Sequence, residues 1–254
     1  MKGELSGRHA LVTGASRGIG RVIATHLAGQ GAAVSAHGRD TDALTRVCRE
    51  VVGGGGVCRP VVADLTVPDQ VGRLVREAED GLGGIDVLVA NAGGSPSRPR
   101  PVEDMSDADF LAAVDLNLVA TFRLVRTVLP GMKERGRGSI ITMSSAAARR
   151  PSAQSPIAYA AAKAAVEVFT KGVALQAGPH GVRANCVAPE TIITERTGRQ
   201  IPQEIQERMI GEHPLRRLGT PMDVAEAVLY LAGDRSAWVT GVVLDVAGGS
   251  VITQ

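Results

Sequence analysis

A tyrosine and a lysine stand four residues apart, at Tyr159 and Lys163, in an alanine-rich stretch that follows Ser145. Residues four apart lie on one face of a helix. There an ammonium can lower the pKa of a phenol, which is ordinarily roughly 10. Such a phenol can protonate the alkoxide that forms when hydride reaches a carbonyl, and the Ser145 hydroxyl can stabilise the developing charge. Taken alone, however, the pair is typical of an ordinary amphipathic helix surface.

A glycine-rich segment far upstream supplies the second half of this chemistry. It reads Thr13-Gly14-Ala15-Ser16-Arg17-Gly18-Ile19-Gly20, directly after the apolar run 10–12 and at the start of a helical pattern. Gly14 permits a tight turn, while Gly18 and Gly20 let the backbone approach a pyrophosphate at the N-terminal end of the helix. A β-α turn without a ligand is the alternative for an isolated match. With the tyrosine and lysine, the segment indicates carbonyl/alcohol redox chemistry on a nicotinamide cofactor.

Short apolar runs alternate with helical patterns along the whole chain. The predicted strands lie near residues 10–12, 32–36, 57–63, 87–90, 139–143, 182–187 and 242–246. The predicted helices lie near 19–30, 41–52, 69–79, 106–135, 156–176 and 222–231, with a loop-helix excursion at about 190–217. This order predicts an α/β fold, a Rossmann-type doubly wound parallel sheet of about seven strands with helices on both faces. Since no linker or repeat divides the chain, we expect a single domain over 1–254.

Composition excludes several function classes. The chain has 254 residues and a formal net charge of +2, which is too small to indicate a nucleic-acid partner. It lacks a run of about 18 apolar residues, and its N-terminus lacks a signal-peptide core, so we expect no membrane span and a cytoplasmic location. Cys48, Cys58 and Cys186 lack metal-type spacing. They are expected to be reduced, buried thiols, and no metal site is predicted.

At this point the chain resembles the classical short-chain dehydrogenase/reductase family over essentially its whole length. The likeness rests on an ordered set of motifs: Thr13–Gly20, Asp64-Leu65-Thr66, Asn91-Ala92-Gly93, Asn117, Ser145, Tyr159-x-x-x-Lys163 and Asn185–Pro189. The resemblance implies that Tyr159 is the acid/base and that Ser145 orients the carbonyl. It also implies that Lys163 binds the nicotinamide ribose and lowers the pKa of the tyrosine.

Two further groups of roles follow from the resemblance. Asn117 would hold a water in a proton relay to Lys163, although it can equally bend the long helix, and both interpretations can hold. Asp64 would bond the adenine, or simply cap a strand end. The implied cofactor-binding set is Gly14, Ser16, Arg17, Gly18, Ile19, Gly20, Arg39, Asp64, Leu65, Asn91, Ala92, Gly93, Tyr159, Lys163, Pro189, Ile192 and Thr194.

The chain departs from the family pattern at two positions. The usual Asn-Asn-Ala-Gly begins here with Ala90, and the usual Pro-Gly after the sixth strand is Pro189-Glu190. Glu190 is expected to add bulk and charge beside the substrate cleft. Hydride chemistry should survive both changes, whereas they weaken any inference of the substrate by analogy.

The choice between NADP and NAD can be argued from charge. NAD-selective relatives place an acidic residue at the end of the second strand, where it bonds both ribose hydroxyls. Here that position is Gly38, followed by Arg39, and Arg17 lies in the glycine segment. Two guanidinium groups can bind the 2′-phosphate of NADP, so we favour NADP(H). A short register slip would bring Asp40 to the ribose instead, which keeps NAD(H) open.

The substrate is a small carbonyl or secondary alcohol, and the candidate cleft walls are 94–102, 146–157 and 190–218. Their arginines, which can attract an anionic substrate or merely be solvated, are Arg98, Arg100, Arg149, Arg150, Arg196 and Arg199. General resemblance suggests a 3-oxoacyl-[acyl-carrier-protein] reductase acting on an acyl thioester. A carbonyl reductase, an NAD-dependent sugar or secondary-alcohol dehydrogenase, and a non-catalytic dinucleotide-binding sensor are the alternatives. Excess apolar residues on helices 106–135 and 156–176, together with the resemblance, predict a homotetramer.

Overall fold

Seven parallel strands lie at the centre of the computed structural model, which describes residues 3–152 and 155–252. The strands are β1 (His9–Thr13), β2 (Ala33–Gly38), β3 (Val57–Val62), β4 (Val87–Ala90), β5 (Gly138–Met143), β6 (Val182–Pro189) and β7 (Val243–Val246). They are hydrogen-bonded in the order β3-β2-β1-β4-β5-β6-β7. The order reverses between β1 and β4, and such a switch point is where open α/β sheets bind ligands.

Helices connect the strands and cover both faces of the sheet. They are α1 (Gly18–Gly29), α2 (Thr41–Gly53), α3 (Pro68–Leu82), α4 (Asp107–Val114), α5 (Ala120–Glu134), α6 (Ile157–Ala177), α7 (Glu195–Gln200), α8 (Gln203–Glu212) and α9 (Pro221–Ala232). One apolar core joins the sheet to α1, α2 and α9, and a second joins it to α3, α5 and α6. The predicted doubly wound parallel fold is confirmed.

The central strands read as continuous apolar runs because both faces of the sheet are covered. Every residue of β1 and of β4 is buried. The edge strand β3 is different, since it is largely exposed and carries Pro60, whose missing N–H suits an edge position. The last strand, β7, is only half-buried.

The helix predicted over 106–135 is interrupted in the structure. Between α4 and α5 the backbone widens into one π-helical turn, Asp115–Val119. Periodicity does not reveal this turn, because its apolar positions still fit a helical face. Wide turns of this kind are frequent at functional sites, and Asn117 lies in the middle of this one.

The thiols are more varied than expected. Cys48 and Cys186 are buried, whereas Cys58 on the edge strand is half-buried, so the expectation of three buried thiols needs correction. The sulfur atoms of Cys48 and Cys58 lie 2.6 Å apart, and both residues are free cysteines. Within the described ranges, no helix combines the length and apolarity of a membrane-spanning segment, and no group of three or more side chains is arranged to hold a metal ion.

Candidate active site

Tyr159 and Lys163 lie one turn apart near the start of α6, whose alanine-rich sequence favours a helix. Lys163 is almost fully buried, at 4% exposure, and its ammonium donates a hydrogen bond to the carbonyl oxygen of Met143 at 2.7 Å. The Lys163 nitrogen lies 5.7 Å from the centre of the Tyr159 ring. Because Met143 ends β5, this bond fixes the helix to the carboxyl edge of the sheet.

Ser145 follows β5 by two residues and begins a short 3₁₀ turn, where its hydroxyl accepts a hydrogen bond from the N–H of Ala147 at 3.3 Å. Its side chain is also hydrogen-bonded to that of Tyr159, and this bond lowers the pKa of the phenol. The structure therefore brings together the serine, tyrosine and lysine that the sequence predicted as catalytic.

The charge balance of this group differs from the expectation. Burial raises the pKa of Tyr159, and the hydrogen bond from Ser145 offsets this only in part. Burial lowers the pKa of Lys163 from 10.5 to about 8. We expected Lys163 to lower the pKa of Tyr159, but in the protein the pKa of Tyr159 is raised. The lysine is instead a costly buried cation, held by one carbonyl and positioned beside the phenol.

Asn117 is fully buried in the π-helical turn. Its side-chain amide donates to the carbonyl oxygens of Gly94 and Ala113, both at 2.9 Å, and accepts from the N–H of Gly94 at 3.0 Å. The backbone carbonyl oxygen of Asn117 accepts a hydrogen bond from the hydroxyl of Thr121 at 2.7 Å. The asparagine therefore ties the wide turn to the loop after β4, which supports its structural role, while the water relay stays a prediction.

The glycine segment forms a tight cradle between β1 and α1. Gly14 and Gly18 adopt positive φ angles of 67° and 56°. A methyl group on Gly20 would lie 2.2 Å from the carbonyl oxygen of Gly14, so only glycine fits where the helix meets the turn. The side chain of Asn91 reaches across from the end of β4 and donates to the carbonyl of Thr13 at 2.9 Å. This cradle fits the close approach of a dinucleotide pyrophosphate.

Other predicted cofactor contacts surround the same edge. A methyl group on Gly93 would lie 2.7 Å from Asn117 Oδ1 and 3.3 Å from Lys163 Nζ, so this turn borders the lysine that the sequence predicted as catalytic. A methyl group on Gly18 would lie 3.5 Å from a Thr194 carbon, which brings the loop after β6 against the glycine segment. Pro189, Ile192 and Leu65 are buried, and Ser16, Ile19 and Ala92 are half-buried at this edge.

The residues expected to choose the cofactor lie around the end of β2. Arg17 is exposed at the start of α1, and the Arg39 side chain is 71% exposed, with Nη1 at 3.6 Å from Asp64 Oδ2. Asp40 caps α2, where its carboxylate accepts from the N–H of Ala43 at 3.0 Å. β2 ends at Gly38, two residues before Asp40, as the sequence predicted, and the choice between NADP and NAD stays a prediction.

Asp64 also forms local contacts. Its Oδ1 accepts from the N–H and the hydroxyl of Thr66, at 2.9 and 2.7 Å, and these bonds lower the pKa of the carboxyl. Asp64 is thus an ionised strand-end turn residue, in agreement with the structural alternative. The other carboxylate oxygen, Oδ2, lies 3.6 Å from Arg39 Nη1. The contact of Asp64 with the adenine stays a prediction.

Glu190 has a partner that the sequence did not reveal. Its carboxylate forms a hydrogen bond with Nε2 of His213 and lines a cavity of about 420 Å³ between the end of β6, α9 and β7. The described residues that line this cavity do not include Ser145, Tyr159 or Lys163. The added carboxylate is therefore bound by a histidine that lies, like Glu190 itself, in the predicted wall 190–218. Sequence alone could not show this, because the two partners are 23 residues apart.

A buried contact that the sequence did not reveal lies behind α6. The Ser144 hydroxyl lies 2.7 Å from Glu167 Oε1 and 3.2 Å from the carbonyl oxygen of Lys163. Glu167 is 9% exposed and lies one turn after Lys163. The sequence signal for this contact is the spacing of Glu167 from Lys163, since residues four apart lie on the same face of a helix. This contact reinforces the attachment of α6 to the end of β5.

Several arginines of the predicted cleft walls are already engaged within the protein. Arg100 pairs with Asp109 at 3.0 Å, and Arg149 pairs with Asp245 at 2.8 Å. Arg150 donates to the carbonyl oxygen of Ser250 at 3.0 Å. Part of the wall 146–157 falls at residues 153 and 154, which lie outside the described residues. These pairs reduce the positive charge that the walls present to an anionic substrate.

Comparison with known proteins agrees with this geometry. A family model described as enoyl-(acyl carrier protein) reductase matches residues 14–250. The 7alpha-hydroxysteroid dehydrogenase of Escherichia coli (strain K12) is 37% identical over 248 residues, which cover 98% of this chain and 96% of the relative. The 3-oxoacyl-[acyl-carrier-protein] reductase of Thermotoga maritima is 35% identical over 251 residues, covering 98% and 100%.

Solved structures give the same result. A 7 alpha-hydroxysteroid dehydrogenase complexed with NADH and 7-oxo glycochenodeoxycholic acid superposes with a TM-score of 0.93. It is 37% identical, and the match covers 98% of this chain and 96% of that one. Fold, site geometry and similarity over nearly the whole length agree, and the chain belongs to the short-chain dehydrogenase/reductase family of oxidoreductases.

Proposed function

We propose that this protein is an NADP(H)-dependent oxidoreductase that transfers a hydride between nicotinamide and a carbonyl or secondary alcohol. The observation that carries the proposal is the meeting of Ser145, Tyr159 and Lys163 at the sheet edge that also holds the glycine cradle. A binding module would not need an acid/base beside its nucleotide.

In this mechanism the nicotinamide supplies or accepts the hydride when bound. Tyr159 donates the phenolic proton to the carbonyl oxygen during reduction and removes it from the alcohol during oxidation. A phenol with a raised pKa keeps its proton near neutral pH, which suits the reducing direction. Ser145 bonds the same substrate oxygen and stabilises its developing charge. Lys163 is held by Met143 where it can hold the ribose and keep a positive charge near the phenol.

The preference for NADP rests on the surroundings of β2. Arg17 and Arg39 are both exposed at the opening of the cradle, and guanidinium groups bind phosphate through charge-assisted hydrogen bonds. The nearest rival acid, Asp40, is engaged as the cap of α2. The alternative is NAD(H), which is favoured by the NADH named in the 7 alpha-hydroxysteroid dehydrogenase structure.

For the substrate we propose a ketone or its secondary alcohol, with 3-oxoacyl thioesters and 7-oxo steroids as the first compounds to test, because relatives act on these two classes. A sugar dehydrogenase remains the second candidate. Internal pairing of Arg100 and Arg149 argues against a strongly anionic requirement.

The test is oxidation of NADPH and of NADH, followed at the nicotinamide absorbance band, with a panel of a 3-oxoacyl thioester, a 7-oxo steroid and simple ketones. We expect turnover with at least one ketone and faster turnover with NADPH. If the protein binds the cofactor but neither reduces any ketone nor oxidises any alcohol or sugar, that result would favour the non-catalytic sensor.

We further propose a cytoplasmic homotetramer. Apolar side chains remain exposed on the helices predicted to make subunit contacts, with Phe110, Phe122 and Val168 at 41%, 40% and 69% exposure. Ala113, which lies on α4 with Phe110, is instead buried within the subunit. Exposed apolar faces are typical of subunit contacts. Light scattering at micromolar concentration tests this, and an active monomer would contradict it.

A further inference from the structure

The segment 193–217, which contains α7 and α8, is held to the rest of the protein by few buried side chains. Of the side chains described at 193–199 and 201–217, only that of His213 is buried, at 4% exposure. The flanking residues Ile192 and Leu218 are also buried. The segment is therefore fixed at its two ends, by the buried side chain of His213, and by the N–H of Leu215, which donates to the carbonyl oxygen of Gly248 at 3.2 Å.

Both ring nitrogens of His213 are used at that point. Nδ1 lies 2.6 Å from the carbonyl oxygen of Met209, in the last turn of α8, and Nε2 contacts the carboxylate of Glu190. A carbonyl only accepts, so Nδ1 carries a proton, and the contact of Nε2 with a carboxylate requires one more proton between them. The pair is thus an imidazolium–carboxylate bridge or its neutral tautomer, and either form links α8 directly to the end of β6.

The other charged side chains that line the cavity form ion pairs that do not involve His213 or Glu190. Asp245 on β7 pairs with Arg149 at 2.8 Å, and Arg217 pairs with Asp223 at 2.6 Å. Glu190 is in turn fixed by its N–H, which donates to the carbonyl oxygen of Val246 at 3.2 Å. The histidine therefore bonds to a rigid position on the sheet rather than to another loop.

We propose that Glu190 and His213 form a latch that holds segment 193–217 against the carboxyl edge of the sheet and so sets the affinity for the substrate. Both act as positioning residues, because neither touches the reacting atoms. Near its start, Thr194 lies beside Gly18 of the glycine cradle. The segment also belongs to 190–218, one of the three walls that the sequence predicts for the substrate cleft. The kinetic part of the inference rests on the proposed function, whereas the structural part does not.

Hydrogen exchange tests the latch without any substrate. Glu190→Ala should speed amide exchange over residues 203–212 by about ten- to a hundredfold, the range expected for loss of a hydrogen bond to a charged group. Glu212→Ala is the matched control, since it removes an exposed carboxylate next to His213. Amides of β1 should exchange as in the parent in both variants. If Glu190→Ala leaves exchange over 203–212 equal to that of Glu212→Ala, the latch is wrong.

Kinetics and a double-mutant cycle provide the second test. With NADPH and the best ketone of the panel, Glu190→Ala should raise KM for the ketone about tenfold while kcat changes little. Glu190→Gln, which retains a hydrogen-bonding group, should fall between parent and Glu190→Ala. His213→Ala completes the cycle: the increases in exchange and in KM of the double variant should be smaller than the sum of those of the two single variants, because both single variants lose the same contact.

Fully additive losses in the double variant would overturn the proposal, since the two residues would then act independently. If no ketone is turned over by the parent, the proposed function fails, whereas the exchange comparison still decides whether the latch exists.

Discussion

Replacing Lys163 with methionine should make the protein more stable at neutral pH while removing its activity. The lysine is buried, and burial lowers its pKa from 10.5 to about 8. In the unfolded chain it binds a proton up to about pH 10.5, so between about pH 8 and 10.5 the unfolded state holds more protons than the folded one. Stability must therefore rise with pH across this window, and the lysine opposes folding below it.

The magnitude follows from the shift in pKa. At 1.36 kcal/mol per unit, a lowering from 10.5 to about 8 opposes folding by roughly 3 kcal/mol at pH 7. Most of this opposition, roughly 2–3 kcal/mol, disappears by pH 10. Methionine has no charge to desolvate, but it leaves the carbonyl of Met143 without its donor at a cost of about 1–3 kcal/mol. That cost is independent of pH, so it cancels when one pair of proteins is compared at two pH values.

The assay is urea unfolding of the parent and of Lys163→Met at pH 7 and pH 10. The free energy of unfolding of the parent minus that of the variant should become more positive by roughly 2–3 kcal/mol between the two pH values. Other titrating groups are common to both proteins and cancel. A difference that is the same at both pH values would refute the reasoning, since it would mean that the lysine titrates normally in the folded state.

Three further changes test the cofactor site. Arg17→Ala combined with Arg39→Ala should lower the affinity for NADPH at least about tenfold more than the affinity for NADH, because each charged hydrogen bond contributes roughly 1.5–3 kcal/mol. Equal losses of affinity for the two cofactors, measured by calorimetry, would contradict the phosphate contact. Asp40→Ala should leave the ratio of NADPH to NADH affinity unchanged and lower the unfolding free energy by about 1 kcal/mol, because it removes a helix cap. A shift of that ratio toward NADPH would show that Asp40 faces the ribose. Gly20→Ala should lose both cofactor binding and about 1–3 kcal/mol of stability through overlap with the turn, whereas Gly29→Ala in the same helix, with open space around it, should keep both; matching behaviour of the two variants would contradict the cradle.

The parts of the site that depend on local sequence could be predicted. Tyr159 and Lys163 share a helix face because of their spacing, and Gly14 and Gly20 mark a turn that no other residue fits. The parallel, doubly wound sheet also followed, because strands separated by helices form a parallel sheet whose carboxyl ends gather the motifs at one edge.

The parts that depend on tertiary contacts could not be predicted. The lowered pKa of Lys163 comes from its burial and not from the spacing that identified it. The π-helical turn around Asn117 arises where its side chain bonds Gly94, far away in the sequence. The contact between Glu190 and His213 could not be predicted, because the two residues meet only through the fold of the segment that contains α8. In each case a side chain is redirected by an element that the local pattern does not contain.

The acid/base role of Tyr159 is the central claim, and the turnover of Tyr159→Phe tests it most directly. Phenylalanine keeps the ring and removes only the proton donor, so the affinity for NADPH should stay within about twofold of the parent. The value of kcat with the best ketone should fall by about 10²–10⁴-fold, the usual contribution of general acid catalysis. A variant that binds NADPH normally and reduces the ketone at near-parent rates would contradict the account.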